Sequence, residues 1–127
     1  MKVVALDFGS ARTGVAVSDE TGTLARPVGI VERAATPAGL DRLVELVAEH
    51  DAELVLVGLP LTLRGERGEQ ARETEAFVDS LRGRLTIPVE TYDERFTTTL
   101  AQQSGGRAPE DAVAAAHLLQ GWLERPR

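Results

Sequence analysis

The chain contains no cysteine, so disulfides and thiolate metal sites are excluded. Aromatic residues make up only 4%. That leaves no platform of the kind on which the bases of a single strand stack. No apolar run approaches the ~18 residues that a membrane span requires, so no membrane partner is expected. The opening residues, Met1-Lys2-Val3-Val4, lack the basic segment, long apolar core and small-residue cleavage site of a secretory leader. A cytoplasmic location is the expectation. Positive charge is also in deficit: 14 basic residues face 20 acids, a net charge of −6. A protein of that balance does not grip nucleic acid by bulk electrostatics alone. Lysine is nearly absent too, since 13 of the basic residues are arginine. Arginine makes planar, bidentate contacts to phosphate and carboxylate, but a GC-rich genome also replaces lysine by arginine. Positions, rather than counts, must decide.

What is present is an ordinary globular mix, 43% apolar and 27% charged over 127 residues. That length suits one domain, residues 1–127, with a real core. Val3-Val4-Ala5-Leu6 reads as a buried strand. Thr13 to Ser18 reads as a second strand, joined to the first by a short Gly-containing loop. Asp19-Glu20-Thr21-Gly22 signals a turn, and Ala25 to Val31 a third strand. The period then changes. Thr36-Pro37 looks like an N-cap and first helical residue, with Leu40, Leu43, Val44 and Val47 on one helical face. Leu54 to Val57 is a wholly apolar strand that Gly58-Leu59-Pro60 should stop. A loop from Leu61 to Gly68 leads to a second helix carrying Thr74, Phe77, Val78 and Leu81 on one face. Ile87 to Tyr92 reads as a fifth strand. A short helical piece from about Thr97 and a last helix, Pro109 to Leu123, complete the chain. The apolar residues of that last helix are Val113, Leu118, Leu119 and Trp122. The order β-β-β-α-β-α-β-α predicts an α/β fold, a five-stranded mixed sheet with helices packed on its faces.

Three acids stand out by position. Asp7 ends the first strand, Glu94 lies just past the fifth, and Asp111 lies in the first turn of the last helix. In α/β sheets, sites gather at the carboxyl ends of strands and at helix N-termini. Carboxylates brought together repel one another, and a divalent cation removes that conflict. Mg²⁺ takes hard oxygen ligands and suits one or two carboxylates plus substrate phosphates. Such ions support phosphodiester cleavage by water and need neither cysteine nor histidine. Each acid has a plainer reading as well. Asp7 before Phe8-Gly9 can be a turn former. Glu94 can pair with Arg95 at the surface, and Asp111 can answer the helix dipole. Only the three together favour the sharper reading.

These residues resemble a known family. The motifs are Leu6-Asp7-Phe8-Gly9 with Arg12-Thr13-Gly14-Val15-Ala16; Val57-Gly58-Leu59-Pro60; Gly65, Gly68 and Ala71; Asp93-Glu94-Arg95-Phe96-Thr97-Thr98; and Asp111 with Ala114-Ala115 and Leu118-Leu119-Gln120. They are similar to the YqgF/RuvX family, the Holliday-junction-resolvase-like members of the ribonuclease H-like superfamily. The likeness runs nearly end to end. It implies a ribonuclease H-like fold and a divalent-metal nuclease, using Mg²⁺ or Mn²⁺. It implies action on the 5′ end of pre-16S rRNA, with branched DNA as the other substrate class and ribosomal precursor particles as partners. By the same resemblance Asp7 is the central metal ligand and catalytic acid, with Glu94 and Asp111 the others. Related resolvases carry an acid after strand four; Gly58-Leu59-Pro60 stands there, so Glu94 would take over its role. Two departures are visible. The segment between Thr99 and Asp111 is shorter than in the family, and Arg64 stands before Gly65 where the family has a small or acidic residue.

Arg12, Arg64 and Arg95 are the candidates for phosphate contacts, with pairing to the acids as the alternative for Arg12 and Arg95. Gly9 and Gly14 point to tight backbone approach. His50 reads as a helix-end surface residue. His117, six residues after Asp111, lies about 240° around the helix from it and reads as packing. Two other functions compete with a nuclease. One is a non-catalytic ribonuclease H-like binding module in ribosome maturation or transcription. The other is a small ATPase, since the Asp7-Phe8-Gly9 to Gly14 hairpin resembles the phosphate loop of actin-like enzymes. Those enzymes close two domains on their nucleotide, and this length supplies one. Monomer and homodimer both remain open; a resolvase cutting two strands would need paired sites.

Overall fold

The apolar runs of the sequence become the centre of a five-stranded sheet in the computed structural model, which describes residues 1–60, 68–93 and 110–125. In chain order the elements are β1 (Val3–Asp7), β2 (Arg12–Ser18), β3 (Ala25–Glu32), α1 (Pro37–Glu49), β4 (Leu54–Leu59), α2 (Glu69–Arg82), β5 (Val89–Asp93) and α3 (Glu110–Leu123). The sheet order is β3-β2-β1-β4-β5. β1 pairs antiparallel with β2, and β2 with β3, whereas β1, β4 and β5 run parallel. The fold is the mixed α/β sheet that the pattern predicted. Among the described residues no helix is long and apolar enough to cross a membrane.

Alternation of side chains sends each strand's residues to two faces. Val4, Leu6, Val15, Val17, Val55 and Val57 meet Leu40, Leu43, Leu46 and Val47 of α1 and Phe77, Val78 and Leu81 of α2. Val3, Ala5, Ala16, Leu54 and Leu56 meet Ala115, Leu118 and Leu119 of α3. The buried faces of the helices are turned slightly from those expected. On α1 Leu46 joins the buried row, and Val44 is half-buried. On α3 the buried row is Ala112, Ala115, Leu118 and Leu119, while Val113 and Trp122 are half-buried.

Local chemistry sets most boundaries. The Thr36 hydroxyl accepts from the Gly39 N–H at 3.2 Å, and Pro37 follows at the first helical position. At the other end of α1, Asp51 takes φ 51°. The Ala52 N–H then reaches the Val47 carbonyl at 3.0 Å, and the Asp51 N–H that of Ala48 at 3.2 Å. These two bonds close a Schellman ending, with aspartate where glycine is usual. Two strand limits differ from expectation. β5 begins at Val89 instead of Ile87, because Pro88 has no N–H to give the ladder; its carbonyl still accepts from Val55 at 3.0 Å. β4 runs on through Gly58 and Leu59, which pair with Tyr92 and Asp93, and stops before Pro60. Glycine keeps its N–H and can pair; proline cannot. The helical piece expected from Thr97 lies outside the described residues, as does Pro109.

Candidate active site

β1, β4 and β5 are parallel, so their carboxyl ends share one edge of the sheet. Asp7 is the last residue of β1 at that edge. It follows Val3 and Ala5 in the alternation, which places it on the α3 face. Its partner in the register with β2 is Gly14. Gly14 has no room for a side chain: a Cβ there would lie 1.8 Å from the carbonyl oxygen of Asp111. The first turn of α3 therefore rests on the backbone of β2, directly beside Asp7. Two acids from opposite ends of the chain are thereby brought to one edge. On the other side of β1, one step beyond the Leu6–Val57 pair, β4 offers Gly58 and no acid.

The loop between β1 and β2 is held from within. The Gly9 N–H donates to the Thr13 hydroxyl at 3.4 Å, and that hydroxyl donates back to the Gly9 carbonyl at 3.5 Å. Thr13 is fully buried. A Cβ on Gly9 would lie 2.5 Å from the Arg12 carbonyl oxygen, so the turn needs glycine there. Phe8, next to Asp7, points to the opposite face and stacks on Phe77 of α2 with centroids 4.3 Å apart. The end of β1 is thus anchored by the Phe8–Phe77 stack and by the turn that follows.

Arg12 opens β2, and its Nε lies 3.3 Å from Asp111 Oδ2. Their side chains are 62% and 39% exposed, so the pair sits at the surface. Of the two roles expected for Arg12, pairing with an acid is the one this geometry shows. Glu94, Arg95 and Arg64 lie outside the described residues. The chain does leave β5 after Asp93 at the same edge as Asp7. Among the described residues no three His, Cys, Asp or Glu side chains gather into a set able to hold a metal ion. Of the three acids expected to share a site, Asp7 and Asp111 lie among the described residues.

Some supporting residues carried no advance role. Gln120 of α3 accepts from the Ala25 N–H at 2.9 Å and donates to the Thr23 carbonyl at 2.9 Å, tying the helix to the start of β3. A polar residue in an otherwise apolar stretch is the signal that could have marked it. His50 caps the end of α1, and His117 is half-buried on α3.

The family model described as "RuvX: Holliday junction resolvase" matches residues 1–125. The chain belongs to the RuvX family. Relatives of this RuvX-family chain include proteins from Chloroflexus aurantiacus and Desulforudis audaxviator, at 39% and 43% identity. The matches span 98% and 97% of the chain and 88% and 94% of those relatives. Both relatives are provisionally designated pre-16S rRNA nucleases. The family is thus one of nucleases, hydrolases of the phosphodiester bond. Among solved structures, Thermus thermophilus RuvC bound to a Holliday junction matches with a TM-score of 0.64 at 16% identity, over 95% of the RuvX-family chain and 91% of RuvC. The fowlpox virus resolvase with its junction DNA matches at 0.58 and 10% identity, over 98% and 97%. These likenesses establish the ribonuclease H-like fold.

Proposed function

We propose that the chain is a divalent-metal-dependent nuclease that hydrolyses phosphodiester bonds in structured nucleic acid, with the 5′ end of pre-16S rRNA as its substrate. The observation that carries this reading is the meeting of β1 and α3, where the Gly14 backbone seats Asp111 beside Asp7 at the carboxyl edge of the sheet. The substrate class rests on the names of the relatives. The whole chain, residues 1–127, acts as one domain in this proposal.

Asp7 and Asp111 would hold Mg²⁺ or Mn²⁺, and Glu94, following Asp93, would complete the set. The donors are all carboxylate oxygens, the ligand type those ions prefer. The bound cation would supply charge stabilisation where the phosphodiester gains negative charge, and would favour water as nucleophile. The chain's own part is placement. Asp7, anchored by Phe8 and the Gly9–Thr13 turn, fixes one side of the site. Asp111, fixed through the Gly14 contact, supplies the other. Arg12, with Arg64 and Arg95, would meet phosphate oxygens. Water adds to phosphorus, the bond to the departing sugar oxygen breaks, and that oxygen takes up a proton.

The test is incubation with a pre-rRNA leader fragment and with a synthetic four-way junction, in Mg²⁺ or Mn²⁺. Cleavage of the leader is expected, with a loss of roughly 100-fold or more in Asp7→Asn, the scale of removing one electrostatic stabiliser. Cleavage of the junction alone would make the chain a resolvase. Cleavage that survives Asp7→Asn would remove Asp7 from the site. No cleavage of either would leave a non-catalytic binding module, which binding to ribosomal precursor particles would then support.

A further inference from the structure

We propose that Arg12 is an exchange residue: its guanidinium holds Asp111 when no nucleic acid is bound and moves to a substrate phosphate when the site fills. This rests on the metal-nuclease reading above and concerns how substrate and cation are coupled at the same edge.

Three observations lead to it. The contact runs through Nε at 3.3 Å from Asp111 Oδ2, on a side chain that is 62% exposed. The rest of the guanidinium fork is therefore presented outward, where a phosphate oxygen can reach it in the bidentate geometry that arginine favours. An exposed ion pair of this kind is weak, so either partner can be drawn off at small cost. Finally, the backbone beneath the pair is closely packed. Gly14 touches the Asp111 carbonyl closely enough to exclude even a methyl group. The helix start is thus seated directly on β2, which sets the Asp111 side chain where it can change partners without a move of the helix.

The consequence is a competition. Before substrate binds, Arg12 neutralises Asp111 and places a positive charge beside the proposed cation position. A divalent ion must displace that charge to take both Asp7 and Asp111. A nucleic-acid phosphate that engages Arg12 removes the obstacle and delivers a ligand oxygen to the same place. Cation and substrate therefore bind with positive coupling, which by linkage is reciprocal. Arg12 thus acts through Asp111 before substrate arrives and through the phosphate afterwards.

The experiment measures Mn²⁺ affinity of the full chain without nucleic acid, by the electron-spin-resonance signal of free Mn²⁺. The expected result is that Arg12→Gln binds Mn²⁺ about 2- to 5-fold more tightly than the natural chain, the scale of releasing one exposed ion pair. Arg12→Lys, which keeps the charge, should stay near the natural value. Both positions of the pair are exposed, and circular dichroism checks that the variants fold. Unchanged or weaker Mn²⁺ binding in Arg12→Gln overturns the exchange and leaves the metal reading in place. Absence of Mn²⁺ binding in all three proteins overturns the metal reading, and the exchange with it.

Discussion

The two faces of one sheet follow different rules. Toward α1 and α2, the sheet is covered by large side chains, among them Leu6, Val57, Leu43, Phe77 and Leu81. Toward α3, Leu54, Leu56, Leu118 and Leu119 again supply large side chains, but Ala5, Ala16 and Ala115 join them, and at the edge Gly14 has no side chain at all. Large side chains fill volume and remove apolar area from water, which is where most stabilisation arises. Small residues bring backbone against backbone, which fixes position to a fraction of an ångström. Both faces keep the protein folded, and the α3 face adds the close backbone contact at Gly14 that seats the start of α3.

Truncation on the large-residue face gives the greatest loss of stability. Leu81 is fully buried, and Leu81→Ala should cost about 2–5 kcal/mol in urea unfolding. At temperatures where the variant stays folded, cleavage per folded molecule should match the natural chain. A large fall in that rate would break the contrast between the faces. Gly14→Ala is expected to show the opposite balance. The added methyl collides with the Asp111 carbonyl, and overpacking costs about 1–3 kcal/mol. Because the helix start must shift, cleavage should fall far beyond what the unfolded fraction explains. Normal cleavage by a folded Gly14→Ala would show that the close seating is dispensable. Gln120→Ala removes two bonds from α3 to the β3 end and should cost about 1–2 kcal/mol by thermal unfolding.

The smallest effect is one of pH. Asp19 is held down from the usual 3.8 to about 2, first by the Thr21 hydroxyl and then by the N–H groups of Leu24 and Thr23. A depressed folded value means that its contribution is complete above about pH 4 and disappears as pH falls toward 2. The group is exposed, so the effect is slight. The difference in urea midpoint between Asp19→Asn and the natural chain should close across that window. A constant difference from pH 6 to pH 2 would remove Asp19 from the turn.

The large-residue face was legible in the sequence, since Leu54–Val57 and the Leu40/Leu43/Val47 spacing carry strong periodic signals. Asp7 and Asp111 were legible as candidates because strand ends and helix starts can be read locally. Their meeting was not, because it depends on α3 crossing β2 at Gly14, a contact between residues far apart in sequence. Gly14 announced only that something would come close. On α3, Leu118 and Leu119 read as buried and are, and Trp122 packs half-buried against the same cluster. Val113 is only half-buried, and Ala112 and Ala115, whose small side chains carry little apolar signal, take its place in the buried row. The strand limits at Pro88 and Leu59 turned on whether a single N–H was available to the ladder. Glu94, Arg64 and Arg95 remain proposals, lying outside the described residues.

The seating of α3 also bears on synthesis. Asp7 is made well before Asp111, and α3 must return to strands made long before it. Contacts of such long range form late in folding. A chain interrupted before Glu110 carries the strand acid without its helical companion and lacks the lid over Ala5, Ala16 and Leu56. That order makes synthesis of α3 the condition for bringing Asp111 to the edge where β1 ends.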